Sequence, residues 1–97
     1  MADFYSENAA LIDSSSNIIL SPTAGGTPRK KILIQNQAKD GVTNIRISWT
    51  DNSSPTNGML LPPMGYYYET GEDVHQGQAT CSSVDPTKTI DVYIAVA

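Results

Sequence analysis

The sequence predicts an all-β protein: a small antiparallel β-sandwich of six to seven strands with an extended N-terminal arm. Three observations predict it. Short alternating apolar runs recur through residues 29–97, and clusters of Gly, Pro, Asn and Asp separate them. No window keeps a helical period beyond a turn or two. A chain of 97 residues fits one small domain. The expected division is an arm over residues 1–28 and a sandwich domain over residues 29–97.

The arm is set apart by composition. It holds Asp3, Glu7 and Asp13 but no Lys or Arg, so it carries −3 of the net −4. Ser14-Ser15-Ser16 and Ala24-Gly25-Gly26-Thr27-Pro28 read as loops, with Asn17-Ile18-Ile19-Leu20 a strand candidate between them. Phe4, Tyr5, Leu11 and Ile12 are apolar without a clear period, and are read as anchors that dock on a partner.

From Arg29 the pattern is regular. Arg29–Asn36 reads as a strand with Ile32 and Ile34 on one face, and Asp40-Gly41 as a turn in which the glycine takes positive φ. Asn44–Thr50 alternates strictly, turning Ile45, Ile47 and Trp49 inward and Arg46 and Ser48 outward. These two strands are expected to form an antiparallel hairpin. Residues 51–58 form a loop on composition, and Pro62-Pro63 stops the short run Met59-Leu60-Leu61. Tyr66–Thr70 is a strand by aromatic propensity. Gln78–Ser83 is the next strand, with Ala79 and Cys81 on one face. Lys88–Ala97 closes the chain with Ile90, Val92, Ile94 and Val96 alternating.

Composition excludes several function classes. Six Lys+Arg against ten Asp+Glu argue against a nucleic-acid partner, which must neutralise phosphates. No segment approaches the ~20 apolar residues of a membrane helix, so no membrane partner is expected. Met1-Ala2-Asp3-Phe4 lacks the basic start and apolar core of a signal peptide, so export by that route is not expected. One Cys excludes an internal disulfide, and one His removes most zinc and triad constellations.

The residues that carry chemistry are few. His75 lies in a connection beside Glu72 and Asp73, without a nucleophile elbow, and is read as an exposed loop residue. Cys81 is read as a small buried hydrophobe. Glu69, Glu72 and Asp73 read as a solvated hairpin tip rather than a carboxylate pair or calcium site. Arg29-Lys30-Lys31 reads as a solvated strand start. The expectation is therefore no enzyme, no cofactor, no metal and no small-molecule substrate.

Tyr66-Tyr67-Tyr68 is the most suggestive stretch. Tyr66 and Tyr68 share one face and Tyr67 points to the other, so at least one phenol meets solvent in a monomer. Core packing, an intersubunit contact and a sugar-stacking platform all use this chemistry. Tyr67 is taken as the partner-facing residue, together with Phe4, Tyr5, Leu11 and Ile12. The apolar inventory is thin for an independent domain, and help from oligomerisation or docking is expected.

Residues 29–97 carry a recurring rhythm. An opening R-K-x-I-x-I-Q-N strand (Arg29–Asn36) is followed by I-x-I-S-W (Ile45–Trp49) and G-x-x-L-x-P. Gly65 with aromatics, Gly77-Gln78-Ala79 and a β-branched last strand complete it. This pattern resembles small β-sandwich proteins of tailed-bacteriophage virions, of the capsid decoration and head-fibre type. The resemblance implies a non-enzymatic virion structural protein, made in the host cytoplasm, that docks on the major capsid protein or another virion protein, with a homo-oligomer expected. A tail or baseplate adaptor and a carbohydrate-binding module are the alternatives.

Overall fold

The computed structural model describes residues 6–23, 28–50, 53–71 and 73–97. Among the described residues eight strands form: β1 (Ser6–Ile12), β2 (Asn17–Leu20), β3 (Lys31–Asn36), β4 (Ile45–Ser48), β5 (Met59–Leu61), β6 (Tyr66–Thr70), β7 (Ala79–Ser83) and β8 (Ile90–Val96). They build two four-stranded sheets, ordered β1-β8-β3-β6 and β2-β7-β4-β5, and every pairing is antiparallel. The sheets stack as a β-sandwich. Each sheet takes its strands from both ends and the middle of the chain, the order of an eight-stranded jelly roll.

Period-two alternation builds the core. Ile12, Ile32, Ile34, Ile90, Val92 and Ile94 face inward from the first sheet, and Leu20, Ile45, Ile47, Leu61, Ala79 and Cys81 from the second. Asn36 ends the inward row of β3 with no exposed surface. Its Nδ2 donates to the carbonyls of Thr43 and Leu61, both at 3.0 Å, and its Oδ1 accepts from the Ala38 N–H at 2.9 Å. A buried amide needs such partners, and here it ties β3 to the connection leading into the second sheet.

Two expectations are corrected. Residues 6–20 do not form an arm: β1 is paired along its length with β8, from Ser6↔Val96 to Ile12↔Ile90, and β2 pairs with β7. Ile12 is 1% exposed, so the segment brings its own core residue. Nor do β3 and β4 form a hairpin. β3 pairs with β8 and β6, and β4 with β5 and β7. Both strands carry isoleucines on one face only, and those faces are buried by opposing each other across the core. The link at residues 37–44 is thus a crossover between sheets. The hairpin adjacent in sequence is β4–β5, closed by the loop that follows Trp49.

Trp49 lies beyond the end of β4, where the chain bends, and is half-buried. Its ring packs on Tyr67 at 4.9 Å and on His75 at 5.0 Å between centroids. Trp49→Ala should cost about 2 kcal/mol, below the ~3–5 kcal/mol of a fully buried aromatic. Chemical denaturation of the two proteins checks this, and an unchanged midpoint would contradict the packing.

Gly41 has φ 70°, as the Asp-Gly turn demands. Asp40 holds the same turn, accepting from the Thr43 hydroxyl and from the N–H groups of Val42 and Thr43 at 2.9 and 3.0 Å. The Thr43 hydroxyl, then these N–H groups, bring the Asp40 carboxyl from 3.8 down to about 2. A group depressed on folding stabilises fully above its unfolded value and loses that contribution as pH falls through its folded value. The melting temperature should therefore decline between about pH 4 and pH 2, and less steeply in Asp40→Asn. Melting curves across that window check it.

Candidate functional site

The outer face of the β1-β8-β3-β6 sheet gathers the exposed aromatic surface. Alternation turns Leu33 and Gln35 outward from β3, Tyr66 and Tyr68 from β6, Tyr93 from β8, and Ala9 and Leu11 from β1. The register lines them up in rows across the sheet: Ala9, Tyr93, Gln35 and Tyr66 in one, Glu7, Ala95, Leu33 and Tyr68 in the next. Tyr66 is 64% exposed, Tyr68 48% and Leu11 66%. Leu33, Gln35, Gln37, Tyr66 and Tyr93 line an open concavity of about 440 Å³ on this face.

Hydrogen bonds fix the polar groups of the concavity. Gln37 Nε2 donates to Gln35 Oε1 at 3.0 Å, and Gln35 Nε2 donates to the Met64 carbonyl at 3.2 Å. The Tyr93 hydroxyl donates to the Glu7 carboxylate, an interaction that, with partial desolvation, raises the phenol above its usual pKa. Met64 occupies the left-handed region at φ 63°, which a side-chain-bearing residue rarely adopts. Its N–H donates to the Asn36 carbonyl at 2.7 Å, and Gly65 N–H closes the turn on Pro62 O at 2.9 Å. A Cβ at Gly65 would come within 2.9 Å of that same oxygen, so the turn requires glycine there. The Pro62–Gly65 turn thereby sets where the Met64 carbonyl meets Gln35.

The residues expected to contact a partner scatter. Phe4 and Tyr5 lie outside the described residues. Leu11 is on the outer face, as a contact requires. Ile12 is in the core, a correction that follows from β1 being a sandwich strand. Tyr67 is also corrected: it points between the sheets, half-buried against Trp49, and its hydroxyl donates to Glu69 Oε2 at 2.9 Å. Burial, then Glu69, pushes its phenol up to about 12. Alternation placed Tyr67 opposite its neighbours correctly. Which parity faces inward depends on the sheet stacked against β6, so the exposed pair is Tyr66 and Tyr68.

His75 is not an exposed loop residue. It is half-buried, its ring edge against Trp49 and its Nε2 2.9 Å from the Gln78 carbonyl. Its backbone N–H donates to Glu69 Oε1 at 3.0 Å, so Glu69 is engaged at both oxygens rather than poised for chemistry. Cys81 has no exposed surface, and burial pushes its thiol up to about 12, which leaves it protonated and inert at neutral pH. No group of three or more His, Cys, Asp or Glu that could hold a metal occurs among the described residues. Arg29 departs furthest from expectation. It is 4% exposed, and its guanidinium donates to the carbonyls of His75 at 2.9 Å, Gly77 at 3.1 Å and Ser21. Gln76 completes this knot, accepting from Arg29 N–H at 2.8 Å and donating to Arg29 O at 2.7 Å.

Comparison with known proteins finds no match among family models, curated proteins or solved structures. Function is therefore read from the fold together with the outer face of the β1-β8-β3-β6 sheet. Tyr93 and the strained turn at Met64 are its parts that sequence reasoning missed. Tyr93 alternates with core residues on β8 and was visible as an outward aromatic. Its approach to Tyr66 is created by β3 lying between β6 and β8.

Proposed function

We propose that this chain is a non-enzymatic structural protein of a tailed-phage virion, a capsid decoration or head-fibre protein that docks on the outer capsid. The observation that carries the reading is the jelly-roll strand order, with the exposed tyrosines Tyr66 and Tyr68 on the outer face of one sheet. Jelly rolls recur in viral capsid and lectin domains, and this support is an analogy of fold. The motif resemblance of residues 29–97 points the same way.

Docking is assigned to the β1 side of the sandwich. β1 is a seven-residue edge strand, and an edge offers backbone donors and acceptors to a neighbouring chain. Leu11 stands exposed on it, beside Asp91 in register. The major capsid protein or another virion protein is the partner on this edge, and the chain is expected to act as a homo-oligomer. The test is sedimentation of the native protein with purified particles, followed by electron microscopy of a tagged chain. The tag should appear on the shell. Its absence from particles would overturn the reading, and a tag on the tail would replace it with a tail or baseplate adaptor.

A further inference from the structure

We propose that the concavity between Tyr66 and Tyr93 is a binding site for a neutral saccharide. Tyr66 and Tyr93 are the two cross-strand neighbours of Gln35, one on β6 and one on β8. Their backbones stand two strand spacings apart, roughly 9–10 Å. The two rings therefore flank a gap whose floor is the Gln35 side chain. The apolar C–H face of a sugar packs on an aromatic ring, while its hydroxyls need neutral donors and acceptors alongside.

The floor supplies those groups. An amide has two donors and an acceptor oxygen with two lone pairs, and the bonds from Gln37 to Gln35 and from Gln35 to Met64 use only part of that capacity. The same bonds hold both amides in place before any ligand arrives, which lowers the ordering cost of binding. The lining residues Leu33, Gln35, Gln37, Tyr66 and Tyr93 bear no ionised group at neutral pH. The nearby Glu7 carboxylate is engaged by the Tyr93 hydroxyl. An anionic ligand would find no counter-charge in this lining. The volume of about 440 Å³ falls in the range of small-molecule sites.

A second observation falls at the same place. Met64, the non-glycine residue with positive φ among those described, presents the carbonyl that anchors Gln35. Strained backbone of this kind collects at ligand sites, where the surrounding structure holds it. Here the strain positions an acceptor for the floor of the site rather than packing the core, since the Met64 side chain is 64% exposed.

The site stands independently of the virion reading and is tested on the isolated full chain. Isotope-labelled protein is titrated with maltohexaose, cellohexaose and chitohexaose while the side-chain amide signals of Gln35 and Gln37 are followed. At least one of these sugars should give saturable shifts at both amides. Tyr66→Ala should lose about tenfold in affinity, equivalent to ~1.4 kcal/mol, with its melting temperature unchanged, whereas Tyr66→Phe keeps the ring and the affinity. Gln37→Ala, at an exposed position outside the strands, should also weaken binding. No saturable shift with any of the three sugars overturns the proposal, as does equal affinity in Tyr66→Ala. Shifts at these amides that follow protein concentration without sugar, with dimer in sedimentation equilibrium, overturn it in favour of a second copy seated on this face.

Discussion

Deleting residues 1–12 should abolish cooperative folding. The deletion removes the whole of β1, its ladder to β8 from Ser6↔Val96 to Ile12↔Ile90, and the buried side chain of Ile12. Ile12 alone contributes about 1.5–3 kcal/mol by burial. Its loss opens the inner row of Ile90, Val92 and Ile94 to water and leaves β8 as a raw edge. A domain of this size has only about 5–15 kcal/mol to lose. A docking arm predicts the opposite, a truncated protein that keeps its fold and loses only its partner. Circular dichroism and thermal melting of the truncated chain separate the two. A retained β-type spectrum with a sharp transition would return residues 1–12 to the role of an arm.

Arg29→Met should destabilise the protein by about 3 kcal/mol or more. Three carbonyls, those of Ser21, His75 and Gly77, accept from the Arg29 guanidinium in a site only 4% exposed. Hydrogen bonds to a charged group are worth ~1.5–3 kcal/mol each, and those sharing one side chain do not add in full. Methionine fills much of the volume yet leaves the three acceptors dry. Arg29→Lys should also lose stability, because a compact ammonium cannot reproduce the planar fork that spans carbonyls from two segments. Lys30→Met, one residue along and exposed, is the control and should change little. Urea unfolding of the three variants checks the order. Equal midpoints for Arg29→Met and Lys30→Met would make the buried knot energetically idle.

Two-residue alternation was enough to read the class of fold and most of the core. Ile32, Ile34, Ile45, Ile47, Val92 and Ile94 were expected inside and are at most 4% exposed. The Asp40-Gly41 turn was legible because its causes are local: glycine takes the positive φ, and the Asp40 carboxylate accepts from N–H groups two and three residues on. The buried Cys81 was legible for a similar reason, its strand position beside Ala79.

What alternation cannot convey is which strands meet. β1 lacks a clear apolar period because half of its length is exposed on both faces, so only pairing with β8 makes it a strand. The tie between β3 and β4 looked like a hairpin because they are neighbours in the chain, yet they lie in opposite sheets: β3 pairs with β6 and β8, and β4 sits between the nearby β5 and the distant β7. Arg29 looked solvated because a basic run usually is, and its burial depends on carbonyls brought together by folding. The aromatic site has the same origin. Tyr66, Gln35 and Tyr93 lie on three strands far apart in sequence, and their row exists only because β3 is hydrogen-bonded between β6 and β8. Local periodicity sets which way a side chain points relative to its neighbours. Burial and company are set by long-range pairing, where the hydrophobic gain of closing the sandwich selects one strand order over the others.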